Sequence, residues 1–354
     1  MVFMIIIRFC VFPTIIAFLQ FVWFMNYFFV KTLDFIFPGK QPRVVRTPEE
    51  RFDDLEAVGY TFRPNYVELP IGAGKKLPRL HYVDEGPRDG RETILCLHGE
   101  PSWSFLYRHM IHMFAKAGYR VIAPDFIGFG KSDKYTQPDS YTHDMHTMTL
   151  RLLLDYLNLR RITLVCQDWG GPIGLTVVKD SPHLFSRIVV MNTGLPVAYE
   201  PATIANDFMY ITPFLLWRSI AQVFGTYLPI RQLFKFALKG SVPSEVLNGY
   251  CAPFPTSVYK AGAKAWPLLI PVISNTPFSS EMYETREFLA KAWTKEALIL
   301  FADGDKITAG WKKTFLKVLP NAVNKTVVGA GHFLQEDKGK EVANHIISFI
   351  EEKM

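Results

Sequence analysis

The sequence predicts an α/β fold on a mostly parallel sheet, and three observations carry that prediction. Short apolar runs rich in β-branched residues recur along the chain and alternate with segments of helical periodicity. Several runs end on turn-forming or reactive residues: His98-Gly99, Asp125 and Asp168. The rhythm breaks once, between Leu195 and about Ala290, where Pro, Trp and Phe are frequent and strand signals are few. That segment reads as a helical cap inserted into the sheet domain. A chain of 354 residues is long enough for one large core plus such an insertion.

The elements follow in order. Residues 1–30 contain a single charge, Arg8, and none occurs from Phe9 to Val30. A bilayer span needs about 20 apolar residues, so residues 1–37 are expected to form an anchor with residues 9–30 in the lipid bilayer. A cleaved signal peptide fits less well, because the apolar stretch is too long and no small-x-small site follows it. Lys31, Lys40, Arg43 and Arg46 lean toward a single-pass protein with a cytosolic C-terminal domain. Pro38 to Pro42 reads as a linker. RTPEERF, Arg46 to Phe52, reads as a helix start with Thr47 as cap, Pro48 in the first turn and Glu50 at the capping-box position.

Strands are expected at Asn65–Leu69, Leu80–Val83, Thr93–Leu97, Val121–Pro124, Ile162–Gln167, Ile188–Met191, Ala297–Phe301 and Lys325–Val328. Helices are expected at Phe105–Ala117, His143–Leu157 and Pro172–Lys179. The domain boundaries are therefore 46–194 for the first part of the core, 195–290 for the cap and 291–354 for the rest of the core. Sites in such sheets lie beyond the C-terminal ends of the strands.

Composition excludes several classes. The net charge is +6, but Lys and Arg are scattered and no basic stripe interleaves with aromatics, so nucleic acid is not an expected partner. The four cysteines are Cys10, Cys96, Cys166 and Cys251. Their spacing matches neither a disulfide framework nor a zinc site, and it favours a reducing compartment. DFIGFGKS, Asp125 to Ser132, lacks the spacing of a phosphate loop and reads as a structural turn. Asn324-Lys325-Thr326 is a glycosylation sequon at the start of an expected strand.

LVCQDWGG, Leu164 to Gly171, carries the chemistry. A strand running into two glycines and a helix is the layout of a nucleophile elbow. The elbow residue here is Asp168. A carboxylate is already ionised near neutrality, so it can attack carbon without a general base, provided the carbon bears a good leaving group. The resulting ester on Asp168 needs a histidine to activate water and an acid to orient the histidine. VVGAGHF places His332 after one strand, and FADGDKIT places Asp305 after the preceding one. Asp303 competes for the acid role but follows the apolar run too closely. Nucleophile, acid and histidine in this order match an α/β-hydrolase. The oxyanion hole calls for two backbone N–H groups, and Trp169 and Glu100 are the candidates.

HGEPSWSFLYR, APDFIGFGKSD, VCQDWGG and APFPTSVYKAGAKAWP together resemble the haloalkane dehalogenases. RTPEERF resembles that family too. The resemblance covers the chain from about Thr47 onward and leaves out the hydrophobic N-terminus. It implies an α/β-hydrolase fold, with an eight-stranded, mostly parallel sheet, helices on both faces and an inserted helical cap. It also implies that Trp169 donates its indole N–H to the departing halide, with Trp217 in PFLLWRS as the second donor. The family subgroup without a carboxylate after the sixth strand takes its acid after the seventh. Met191 to Leu195 contains no carboxylate, which again points to Asp305. Phe105, Trp266 and Pro267 would line the pocket. No metal or organic cofactor is implied, and the expected partners are a haloalkane and water.

Two rival readings use other features. An epoxide hydrolase would keep the same triad and need tyrosine acids in the cap, for which Tyr199, Tyr210, Tyr227, Tyr250 and Tyr259 are available. A membrane-tethered binding protein on a hydrolase fold would need none of the catalytic residues.

Overall fold

A computed structural model describes residues 43–89, 92–197, 217–270 and 276–352. Its centre is an eight-stranded sheet. The strands are β1 (Asn65–Val67), β2 (Leu80–Glu85), β3 (Thr93–Leu97), β4 (Arg120–Asp125), β5 (Ile162–Gln167), β6 (Phe185–Met191), β7 (Glu296–Ala302) and β8 (Val323–Val327). Their spatial order is β1-β2-β4-β3-β5-β6-β7-β8. β1 and β2 run antiparallel to their neighbours, and the other pairings are parallel. β3 and β5 are buried at every position. A strand covered on both faces must be apolar throughout, which is why these runs lack alternation.

The helices are α1 (Arg108–Lys116), α2 (His143–Tyr156), α3 (Gly170–Asp180), α4 (Ile230–Ala237), α5 (Ser244–Cys251), α6 (Ala261–Leu269), α7 (Pro277–Lys291), α8 (Lys312–Val318) and α9 (Leu334–Glu351). They cover both faces of the sheet. α1 packs on α9, while α2, α3, α7 and α8 contact one another in sequence. α4 to α7 fall between β6 and β7, as does a helix over residues 217–224. This insertion is pinned to the core by a buried cluster. Arg108 on α1 forms a two-bond ion pair with Glu336 on α9, at 2.6 and 2.8 Å, and Tyr250 on α5 donates its hydroxyl to the same carboxylate at 2.5 Å. A bidentate guanidinium pair fixes orientation as well as distance.

Two expectations are corrected. Thr47 does not cap the first helical segment. That segment, Glu49–Val58, is a run of 3₁₀ turns without a side-chain cap. The Thr47 hydroxyl instead donates to the Pro253 carbonyl at 2.9 Å, tying the start of the described chain to the insertion. The second correction concerns localisation. A single-pass membrane protein is not upheld, because no helix among the described residues is long and apolar enough to cross a membrane. Residues 9–30, which carried the expected anchor and its bilayer contact, lie outside the described residues.

Candidate active site

β5 ends at Gln167, and the chain turns at once into α3. Asp168, between them, has φ of +51°, in the left-handed region that non-glycine residues seldom occupy. Its surroundings over-determine that conformation. The Asp168 N–H donates to Asn192 O at 3.0 Å, and Thr193 Oγ1 donates to Asp168 O at 2.6 Å. Two neighbouring glycines allow the close approach. A Cβ on Gly99 would sit 2.2 Å from Asp168 Cβ, and one on Gly170 would sit 2.3 Å from Leu97 O.

His332 comes from the loop after β8, and its own N–H donates to Ala237 O at 2.9 Å. His332 Nε2 lies 3.5 Å from Asp168 Oδ2. On the other side of the ring, Nδ1 lies 3.1 Å from Asp305 Oδ1. Asp305 also accepts from the backbone of Ile307 at 2.9 Å, from the backbone of Thr308 at 3.1 Å and from the Thr308 hydroxyl. Asp303 faces elsewhere and accepts from the Gly329 N–H at 2.9 Å. Glu100 donates its backbone N–H to Asp168 Oδ1 at 2.7 Å. Of the two carboxylate oxygens, Oδ1 is thus tied to an amide and Oδ2 faces the histidine.

Burial works against a charged His332, but the Asp305 carboxylate outweighs it, joined by Asp168, and the ring is raised to about 10. Burial would raise the Asp305 carboxyl; its charge interaction and hydrogen bond with His332, aided by Thr308 and Ile307, hold it below the usual range instead. Burial and the nearby Asp168 push the Glu100 carboxyl well above its usual range. The two carboxylates thus favour the protonated ring, and an imidazolium is no base. Converting Asp168 to an ester removes one of the two charges that hold this proton, so the ring becomes a better base after alkylation than before.

Asp168 and His332 open into a cavity of about 300 Å³, and Asp305 is buried behind the histidine. Trp169, Trp217 and Pro267 are in its wall, with Glu100, Ile307 and Trp311 among the others. Apart from the reactive end, the lining is mostly apolar.

Residues 92–233 match the α/β hydrolase fold family. A haloalkane dehalogenase of Psychrobacter cryohalolentis is 39% identical over 311 residues, which span 87% of this chain and 98% of that one. One from Mycobacterium marinum is 40% identical over 308 residues, spanning 86% and 99%. The solved tetrameric haloalkane dehalogenase of Paraglaciecola agarilytica NO2 is 34% identical, with a TM-score of 0.76 over 86% of this chain and 97% of that one. The chain belongs to the haloalkane dehalogenase family. The relatives are matched nearly end to end by a part of this chain.

Within this family member, two expected pocket residues need correction. Phe105 and Trp266 do not line the cavity. Phe105 is fully buried between the rings of Trp103 and Tyr250, at 5.4 and 4.9 Å, under the Arg108 guanidinium at 4.1 Å. Trp266 lies one layer behind Trp169, with ring centroids 5.3 Å apart, and donates its indole N–H to His146 Nε2 at 2.7 Å. Trp266 thus supports the wall from behind. No tyrosine lines the cavity among the described residues. Tyr250 is bound to Glu336, Tyr227 is 76% exposed, and Tyr199 and Tyr210 lie outside the described residues.

Sequence reasoning missed the supports of His332. The Asn192 amide donates to Gly331 O and His332 O at 3.0 and 2.9 Å, and its Oδ1 accepts from the Ala302 N–H at 2.9 Å. The Gln167 side-chain amide lies 3.0 Å from His332 Nε2. A polar residue closing β5 and another directly after β6 were the available signal.

Proposed function

We propose that the chain hydrolyses haloalkanes to an alcohol and halide through an alkyl ester on Asp168. The Asp168 carboxylate attacks the halogen-bearing carbon in line, and the carbon–halogen bond breaks with its electron pair on the halide. The indole N–H groups of Trp169 and Trp217 hold that halide; an indole donates and does not accept, which suits an anion in a dry pocket. Once Asp168 is esterified, His332 gives its resting proton up to solvent; oriented by Asp305, it then takes a proton from water, whose oxygen attacks the ester carbonyl. The backbone N–H groups of Glu100 and Trp169 stabilise the oxyanion. Collapse passes the His332 proton to the departing alkoxide, which leaves as the alcohol, and the proton left on the new carboxyl returns to His332 as Asp168 is restored. The route needs no metal or organic cofactor. Segment 195–290 serves as the cap that shapes the pocket, over a core of residues 46–194 and 291–354.

One observation carries this reading: His332 spans Asp305 and Asp168 at the reactive end of an apolar cavity. A carboxylate at the end of an apolar cavity suits attack on an alkyl carbon. Epoxide opening needs an acid near the ring oxygen, and the tyrosine-free lining does not favour it. The test is incubation with a terminal bromoalkane and, separately, with styrene oxide, measuring bromide, alcohol and diol. Bromide and alcohol are expected, and Asp168→Ala abolishes both. Diol alone, or no product, overturns the reading.

A further inference from the structure

Glu100 contributes more than its backbone to the cavity. Glu100 is in the same wall as Asp168, Trp169 and Trp217, yet it is only 6% exposed. Its Oε1 is buried without a hydrogen-bond partner. Among the described residues, the side-chain donor that reaches the carboxyl group is Trp217. An indole has a single N–H, so Trp217 cannot serve Glu100 and a halide together. An ionised Glu100 would also place a second negative charge beside Asp168, in the region where the leaving halide gathers charge. At contact distance in low dielectric such repulsion is severe. Burial and Asp168 both act to keep the proton on Glu100.

We propose that the Glu100 side chain is a third halide donor: a neutral carboxylic acid whose O–H turns onto the departing halide as Trp217 transfers its N–H from that carboxyl to the same ion. The inference rests on the reading of Trp169 and Trp217 as halide donors. In the empty site the acid holds the Trp217 indole in place. When the carbon–halogen bond breaks, the electron pair leaves on the halide, the new bond forms from Asp168, and the Glu100 proton stays on Glu100 as a hydrogen-bond donor. The charged and titratable groups facing it are Asp168 from the elbow and His332 from the loop after β8; Trp217 faces it from the insertion.

Bromide binding, read by quenching of tryptophan fluorescence in the full-length protein, tests the proposal. Glu100→Gln keeps an N–H donor at the position and binds bromide within about threefold of the parent, whereas Glu100→Met loses about tenfold, the scale of one hydrogen bond to a charged group. Raising the pH ionises Glu100 and turns a donor into a repelling anion, so parent affinity falls in alkali. His332 adds its own alkaline decline to parent and variant alike. The Glu100→Gln profile is therefore the flatter of the two.

Glu100→Met binding bromide as tightly as the parent overturns the proposal. So does Glu100→Gln weakened as much as Glu100→Met, which would mark a purely structural carboxyl. Trp217→Phe keeps the two readings apart. If it loses bromide and Glu100→Met does not, the acid donor falls and the tryptophan reading stands. If neither weakens, both fall. Should Glu100→Met fail to fold by near-ultraviolet circular dichroism, the pH profiles of the parent and Glu100→Gln decide, and parallel profiles overturn the proposal.

Discussion

Two buried histidine–aspartate pairs sit among the described residues, at different places along one sheet. His332 and Asp305 meet at 3.1 Å in loops beyond β8 and β7. His81 on β2 and Asp125 at the end of β4 meet at 2.7 Å. Both aspartates lie below the usual carboxylate range; each has a burial penalty overcome first by its histidine partner. What differs is the far side of each pair. Asp125 uses its oxygens within the fold, accepting from the backbone of Ser104 at 2.7 Å and of Lys131 at 2.8 Å, and the His81 ring is covered by Tyr66 at 5.3 Å. Neither residue lines the cavity. His332 instead turns its second nitrogen to Asp168 and open space. The same chemical pair is a structural clamp where every atom is enclosed, and a reactive relay where one nitrogen is left facing a second carboxylate.

Mutations can break this comparison. The largest effect is expected for His332→Ala, with turnover down about 10⁴-fold or more. Bromide still leaves once per molecule, and mass spectrometry finds an alkyl group on Asp168. Continued turnover would remove His332 from the relay. Asp305→Asn keeps the shape but misorients the ring, and steady-state rates fall about 10³- to 10⁴-fold with little change in melting temperature. In the clamp the pattern reverses. Asp125→Ala costs about 3–5 kcal/mol of stability in urea titrations, because it strands a buried partner, while the folded fraction keeps turnover. A large kinetic defect with unchanged stability would erase the distinction.

The most gradual effect is a pH dependence. His332 is raised from 6.5 to about 10 in the folded protein. The folded state therefore holds a proton that the unfolded chain releases over that interval. Its stabilisation is complete below about pH 6.5 and disappears as the pH climbs through about 10, at no more than about 1.4 kcal/mol per pH unit. His332→Gln should flatten the decline of melting temperature between these limits. An unchanged slope assigns the decline to other groups.

The same contrast explains what the sequence could reveal. The elbow, the strand ends and the order Asp168, Asp305, His332 were legible because each depends on local features: an apolar run, then a turn residue. The choice of Asp305 over Asp303 was also local, since one more turn of chain carries the side chain toward the histidine loop. Thr47, Phe105 and Trp266 were misread because their partners come from distant elements, namely Pro253, Tyr250 and His146. Asn192 and Gln167 support His332 across roughly half the chain, and no spacing rule reports that. The Glu100 side chain was hidden for a different reason. Its backbone role was readable from the turn, but the protonation state of a carboxyl depends on burial and on Asp168, which only the folded arrangement brings together.

The split use of the Asp168 oxygens has a consequence for where the product's oxygen comes from. With Oδ1 held by the Glu100 amide, Oδ2 is the atom placed to attack. It leaves the protein as the alcohol oxygen, and an oxygen from water takes its place in the carboxylate. On the proposed route, each alcohol therefore carries an atom that the protein acquired one turnover earlier. In isotopically heavy water the first alcohol per molecule is light and the next is heavy. The nucleophile is a consumable that the solvent renews, and the enzyme carries a one-cycle memory of the water in which it last worked.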